Sequence, residues 1–187
     1  MNDYFSRFAH RYDGFVGDFE LSSILDYLDL ERNDILVDVG GGTGRVAQAL
    51  KHHVRGCVVL DYSYNMLQKA KAKDNDIMLV QASSDSMPFR DGTIEKLFMN
   101  DSLHHIQTQE ETISECERIL TKPGKLMIRE FNRKTFWNKF LIFGEKLMRF
   151  NSKFLTPEEL VKMCDDVNLK SVYEKPTRGT FILTAIK

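Results

Sequence analysis

Val37-Asp38-Val39-Gly40-Gly41-Gly42-Thr43-Gly44-Arg45 is the stretch on which the fold turns. It closes a short apolar run, Ile35, Leu36, Val37 and Val39, and opens a segment in which Val46, Ala47 and Leu50 fall at helical spacing. A strand that enters a glycine-rich turn and leaves as a helix is a cradle for nucleotide-like ligands. Glycine lets a ligand approach the backbone, and the first helical turn offers unpaired N–H groups. The spacing narrows the ligand. Glycines at 40, 42 and 44 read G-x-G-x-G, whereas a dinucleotide fingerprint puts its third glycine where this chain has Arg45. Asp38, two residues before the first glycine, adds a carboxylate that would repel a pyrophosphate and suits a ligand carrying a cationic amine.

Further motifs follow in order. Val58-Val59-Leu60-Asp61 is a second apolar strand, ending in an acid about 20 residues beyond the glycines. Ser63-Tyr64-Asn65-Met66-Leu67 then opens a helix, and Ser86-Met87-Pro88-Phe89-Arg90-Asp91-Gly92-Thr93-Ile94-Glu95 precedes another strand. Asn100-Asp101-Ser102-Leu103-His104-His105-Ile106 follows that strand, and Leu120-Thr121-Lys122-Pro123-Gly124-Lys125-Leu126 turns into the next. In this order and spacing the chain resembles the class I S-adenosylmethionine-dependent methyltransferases. Within them it is similar to the small-molecule and quinone C-methyltransferases of the methyltransferase type 11 group, over most of residues 30–187.

The resemblance implies S-adenosylmethionine as cofactor, S-adenosylhomocysteine as product, and a cofactor-binding set of Tyr12, Asp38, Gly40, Gly42, Gly44, Asp61, Tyr62, Met66, Ser83, Ser84, Asp85 and Asn100. In this set Asp61 grips the ribose hydroxyls. Two charge-assisted hydrogen bonds to vicinal hydroxyls are worth roughly 1.5–3 kcal/mol each. A strand-end carboxylate facing a crevice is expected to matter for the ligand and little for folding. The turn's N–H groups suit the cofactor's carboxylate, and Asp38 suits its ammonium, directly or through water. Two positions depart from the family pattern. Ser83 stands where relatives carry the acid that receives the adenine amino group, with Asp85 two residues on able to reach instead, and Glu95 stands where most carry Asp.

At 187 residues the chain fits one domain with a full core. No apolar run approaches the roughly 20 residues of a membrane span, and Met1-Asn2-Asp3-Tyr4 has neither a basic nor an apolar signal region. Cys57, Cys116 and Cys164 are widely spaced and lack a C-x-x-C pair, so they read as buried, reduced thiols of a cytoplasmic protein. A formal charge of −1 argues against a nucleic-acid substrate.

Before the glycine loop the spacing predicts two helices. One carries Phe5, Phe8, Tyr12 and Phe15 on one face and ends near Asp13-Gly14. The next starts near an Asp18 cap and buries Leu21, Ile24, Leu25 and Leu28. Strands are predicted over 35–39, 58–61, 77–80, 95–99 and 126–131, with helices near 44–51, 64–72 and 109–120. Such alternation argues for a parallel sheet covered on both faces. Thr156-Pro157-Glu158-Glu159 is a capping box with Pro at the first helical position. The runs 169–174 and 180–186 are joined by a link too short for a crossover helix, so they must be antiparallel. The expected fold is an α/β, Rossmann-like, mostly parallel seven-stranded sheet with an antiparallel C-terminal hairpin. Its strand order, implied by the resemblance, is 3-2-1-4-5-7-6. One domain spans 1–187, with N-terminal helices in 1–30 and a substrate-lid insertion at 132–155.

Residues 134–150 hold the only Trp and many large apolar residues interleaved with cations. The segment can be a core helix, a lid over the acceptor pocket, or an amphipathic helix resting on a membrane surface. Its place after the fifth strand favours the lid, and its ring-rich composition favours a flat or apolar acceptor. Tyr12-Asp13 resembles a segment that folds over the cofactor in related enzymes, although Tyr12 can equally fill the core.

His104 and His105 are the candidate catalytic residues, either one able to serve as general base, while helix capping is the plainer reading. Adjacent residues on a helical turn diverge by about 100°, so no metal site is expected. His52-His53 reads as surface. The leading function is transfer of a methyl group to a small, apolar or aromatic acceptor. A non-catalytic protein that binds the cofactor or its product, or a methyltransferase acting on a macromolecule, are the alternatives. No Asn/Asp-Pro-Pro-aromatic run follows the fourth strand, which opposes a nucleic-acid amino-methyltransferase.

Overall fold

The computed structural model describes residues 21–132, 152–175 and 179–187. Tyr12, the first predicted helix, the Asp18 cap and the segment 134–150 lie outside the described residues. Seven strands form one sheet in the order β3-β2-β1-β4-β5-β7-β6. They are β1 (Ile35–Val39), β2 (Gly56–Asp61), β3 (Met78–Gln81), β4 (Ile94–Asn100), β5 (Leu120–Phe131), β6 (Lys170–Glu174) and β7 (Thr180–Ile186). The first five pair in parallel, and β7 runs antiparallel to both β5 and β6. The order is the one the resemblance implies, and the terminal hairpin is the one the short link predicts.

Successive residues of a strand face opposite sides, and here both sides are apolar. Leu36, Val59, Phe98, Met127 and Ile182 point to one face. Among the described residues it is covered by α1 (Leu21–Leu28) through Ile24 and Leu28, α2 (Arg45–Leu50) through Val46, Ala47 and Leu50, and α3 (Tyr64–Lys73) through Leu67. Val37, Val58, Leu97, Ile128 and Leu183 point to the other face. There α4 (Gln109–Ile119) contributes Ile113, Cys116 and Ile119, and α5 (Pro157–Asp166) contributes Leu160 and Cys164. All three cysteines are free and buried, and His52 and His53 are exposed, as predicted.

Local chemistry explains the element ends. Thr156 Oγ1 accepts from Glu159 N–H, and the Glu159 carboxylate accepts from Thr156 N–H at 2.7 Å, with Pro157 opening α5. At the C-terminus of α1, Lys96 Nζ donates to the carbonyls of Leu28 and Asp29, both at 2.8 Å, which satisfies acceptors the helix itself cannot. Strand β5 starts six residues before the predicted Leu126. Leu120 pairs with Ile94, and the register then shifts before Lys96 meets Lys125, so the Pro-Gly turn lies inside the strand as an irregularity. Glu95 Oε2 accepts from Ile35 N–H at 2.8 Å and ties β4 to β1.

Because β1 sits between β2 and β4, the chain leaves the sheet in opposite directions on either side of it. The crevice this opens at the carboxyl ends of β1 and β4 is where open α/β sheets bind ligands. Among the described residues no helix is long and apolar enough to cross a membrane.

Candidate active site

The glycine loop leaves β1 and folds back over the end of β2. Gly40 N–H donates to Leu60 O at 2.7 Å, and Gly44 N–H closes the turn on Gly41 O at 3.0 Å. Gly40 has φ +71°, and a Cβ there would lie 2.8 Å from Ser102 Cβ, so the loop after β4 is pressed against it. Ser102 Oγ donates to Val39 O at 3.0 Å and fixes that approach. Gly42, with φ +56°, differs: a Cβ there meets no described atom within 4 Å. The loop is thus packed on its β4 side at Gly40 and open at Gly42. Gly44 caps α2 in a left-handed conformation against Ala70.

Asp61 ends β2 and braces the loop. Its Oδ2 accepts from Gly42 N–H at 2.9 Å, and its Oδ1 accepts from Ser63 N–H at 2.8 Å, at the start of α3. This carboxylate joins β2, the loop and α3, so its contacts bear on folding as well as on a ligand. A carboxylate has about four acceptor positions, so two backbone N–H groups and two vicinal hydroxyls can be accommodated together.

Asp38 lies under the loop, 1% exposed, with its Oδ2 lacking a hydrogen-bond partner. Burial, reinforced by the charge of Asp61, pushes its carboxyl up to about 7, with the Ala47 N–H opposing. A buried oxygen with no donor, beside a loop open at Gly42 and a carboxylate at its rim, fits a ligand carrying an ammonium and a vicinal diol.

The remaining cofactor candidates divide. Tyr62 is 62% exposed at the end of β2 beside Asp61, whereas Met66 is buried in α3. Ser84 Oγ shares a hydrogen bond with Thr112 Oγ1 of α4 at 2.9 Å. Asp85 accepts from Thr108 Oγ1 at 2.7 Å, and the hydroxyls of Ser83 and Thr108 hold its carboxyl below the usual carboxylate range. The 83–85 turn is thus tied toward α4. Asn100 Oδ1 accepts from Arg129 Nη1 at 3.0 Å.

The two histidines form a short 3-10 turn, Leu103–His105. His104 is 3% exposed, and its Nδ1 donates to Glu130 Oε2 at 2.7 Å while its backbone N–H reaches Glu130 Oε1 at 3.2 Å. Its ring stacks on Phe154, 4.5 Å between centroids. His105 Nδ1 lies 3.2 Å from Ser152 Oγ, and burial together with His104 pushes its imidazole down to about 3.

Four residues were not singled out by the sequence reading: Asp101, Ser102, Arg129 and Glu130. A signal was present. Arg129-Glu130 is a charged pair at the end of an apolar strand, where burial without partners is costly and therefore suggestive of a paired role.

A methyltransferase domain model matches residues 37–128, which run from the end of β1 through most of β5. The chain is 27% identical over 114 residues to a demethylmenaquinone methyltransferase of Renibacterium salmoninarum, covering 61% of this chain and 48% of that one. It is 29% identical over 158 residues to the 2-methyl-6-phytyl-1,4-hydroquinone methyltransferase of Spinacia oleracea, covering 79% and 44%. The chain thus spans about half the length of these relatives. Among solved structures, a SAM-dependent methyltransferase of Thermotoga maritima superposes with a TM-score of 0.81, covering 98% of each chain at 20% identity, which speaks to the fold. Sheet order, glycine loop, strand-end acid and matched domain agree: residues 37–128 belong to the methyltransferase domain family, in the fold of the S-adenosylmethionine-dependent methyltransferases.

Proposed function

We propose that this protein transfers the methyl group of S-adenosylmethionine to a small, flat, largely apolar acceptor of the phenol or hydroquinone type. The observation that carries the cofactor reading is the Asp61 carboxylate, which grips the glycine loop through Gly42 N–H at the rim of the β1/β4 crevice. The acceptor class is supported by the ring-rich composition of 134–150 and by the quinone and hydroquinone in the names of the two relatives.

When bound, the cofactor supplies an electrophilic methyl on a sulfonium centre. The chain's own part is to bind, orient and exclude water, since holding nucleophile and methyl in a near-attack geometry supplies much of the rate. Asp61 takes the ribose hydroxyls, Asp38 takes the ammonium directly or through water, and Gly42 leaves room at the backbone. Tyr62, Ser83, Ser84, Asp85, Met66 and Asn100 form the surrounding wall. At neutral pH a group titrating near 3 is a weak base, so His105 acts as a neutral hydrogen-bonding side chain. His104, held by Glu130, is a positioning residue that fixes the turn after β4.

The test is thermal unfolding with S-adenosylhomocysteine. At about 100 times its Kd the ligand adds about 2.7 kcal/mol, a Tm rise on the order of 5–10 °C, with none from NAD. A rise with NAD and silence with S-adenosylhomocysteine would overturn the cofactor assignment. Binding without turnover on any hydroxylated aromatic would make the chain a non-catalytic binding protein.

A further inference from the structure

Asp101 is the most unusual residue of the crevice. It follows β4 directly, has φ +51° although it is not glycine, and is 7% exposed. Non-glycine residues rarely hold this left-handed conformation, and those that do cluster at ligand sites. The conformation is held from two sides. Asp101 N–H donates to Arg129 O at 2.9 Å, and Arg129 Nη1 donates to Asp101 Oδ2, also at 2.9 Å. The other carboxylate oxygen, Oδ1, is buried and has no hydrogen-bond partner.

The charged groups that act on this carboxylate belong to three parts of the site. Arg129 and Glu130 come from β5, His104 from the turn after β4, and Arg45 from the residue that follows the glycine loop. The neighbouring Ser102 is packed on Gly40. Oδ1 is thus an unsatisfied buried acceptor on the residue that precedes Ser102, whose side chain packs on the glycine loop.

We propose that Asp101 is a catalytic residue: its Oδ1 accepts a hydrogen bond from an aromatic hydroxyl of the acceptor and takes that proton as the methyl is transferred. The inference rests on the methyltransferase reading above and adds the group that activates the acceptor. A bond forms from the acceptor's oxygen, or from the ring carbon the hydroxyl activates, to the methyl carbon. The carbon–sulfur bond breaks with its electron pair left on sulfur, and the hydroxyl proton passes to Oδ1. When the ring carbon is methylated, the proton on that carbon is lost afterwards to solvent and aromaticity returns. An aromatic hydroxyl suits the position because it is a neutral donor, which brings no second charge into the crevice, and because losing its proton makes it a strong nucleophile. Burial, with Glu130 adding and Arg129, His104 and Arg45 opposing, pushes the carboxyl up to about 6. Such a group is ionised at neutral pH and more basic than an ordinary aspartate.

Calorimetry on the full chain saturated with S-adenosylhomocysteine tests this with three probes: 1-naphthol, naphthalene and 1-methoxynaphthalene. A buried acceptor that gains its only donor should favour 1-naphthol over both others by roughly tenfold. In Asp101→Asn the amide nitrogen replaces Oδ1 if Arg129 keeps its acceptor, and the preference should collapse while S-adenosylhomocysteine affinity stays within about twofold. Equal affinities for the three probes in the wild type, no binding of 1-naphthol, or a preference unchanged in Asp101→Asn would each overturn the proposal. The wild-type comparison decides the matter even if the variant fails to fold. Failure of S-adenosylhomocysteine itself to bind would instead overturn the methyltransferase reading.

Discussion

Replacing Asp61 by alanine separates two roles that one carboxylate performs. Its oxygens accept from Gly42 N–H at 2.9 Å and Ser63 N–H at 2.8 Å, both partly buried. Hydrogen bonds to a charged acceptor contribute about 1.5–3 kcal/mol, and because water can reach part of this site the low end applies to each. Asp61→Ala should therefore lower folding stability by about 2–3 kcal/mol, a Tm drop on the order of 5–10 °C for a chain of this length. The same change deletes both ribose acceptors, and S-adenosylhomocysteine binding should weaken by about 2–4 kcal/mol, or roughly 30- to 1,000-fold. Asp61→Asn keeps the shape and one acceptor, yet its amide nitrogen must face either the Gly42 or the Ser63 N–H, donor against donor. It should fold with a stability near that of the alanine variant and still lose most of the affinity. Differential scanning calorimetry gives the first quantity and isothermal titration the second. A variant that melts with the wild type would refute the bracing role, and one that binds S-adenosylhomocysteine unchanged would move the ribose site elsewhere.

Two further outcomes follow from the loop. Asp38 has a folded-state pKa of about 7 against 3.8, so the folded state binds the extra proton between these values and the unliganded protein loses stability as pH rises through that window. Urea unfolding should show Asp38→Asn gaining roughly 2–3 kcal/mol on the wild type between pH 5 and pH 8, and a difference independent of pH would refute the desolvated environment of this carboxyl. Gly40→Ala and Gly42→Ala share a left-handed φ, costing about 1–2 kcal/mol each, but only the first drives a Cβ to 2.8 Å from Ser102. Gly40→Ala should be the less stable by a further 1–3 kcal/mol or so, and Gly42→Ala should fold yet bind S-adenosylhomocysteine poorly; equal stabilities in chemical denaturation would contradict the packing described.

The elements that were legible in the sequence are those whose cause is local. Ile35–Val39 was placed to the residue because a five-residue apolar run ends at a glycine cluster. Thr156 to Glu159 announced the start of α5 because a capping box is completed within four residues. The antiparallel pairing of β6 with β7 followed from a link too short to cross over. The start of β5 was not legible, because Leu120 is in the sheet only through its pairing with Ile94.

The sequence by itself carried the resemblance to the methyltransferases, through the spacing of Gly40, Gly42 and Gly44 and the acids Asp38 and Asp61, since backbone approach and charge are properties of the residues themselves. What those acids touch was decided by the tertiary structure. Asp61 reaches Gly42 across 19 residues, Glu130 reaches His104 across 26, Arg129 reaches Asp101 across 28, and Ser102 reaches Val39 across 63. These contacts exist because β2, β1, β4 and β5 stand side by side and deliver their ends to one edge. Sequence periodicity records which face of a strand is buried and carries no term for which strand lies next to it, so the carboxylate pairs at that edge emerge only when the sheet is assembled.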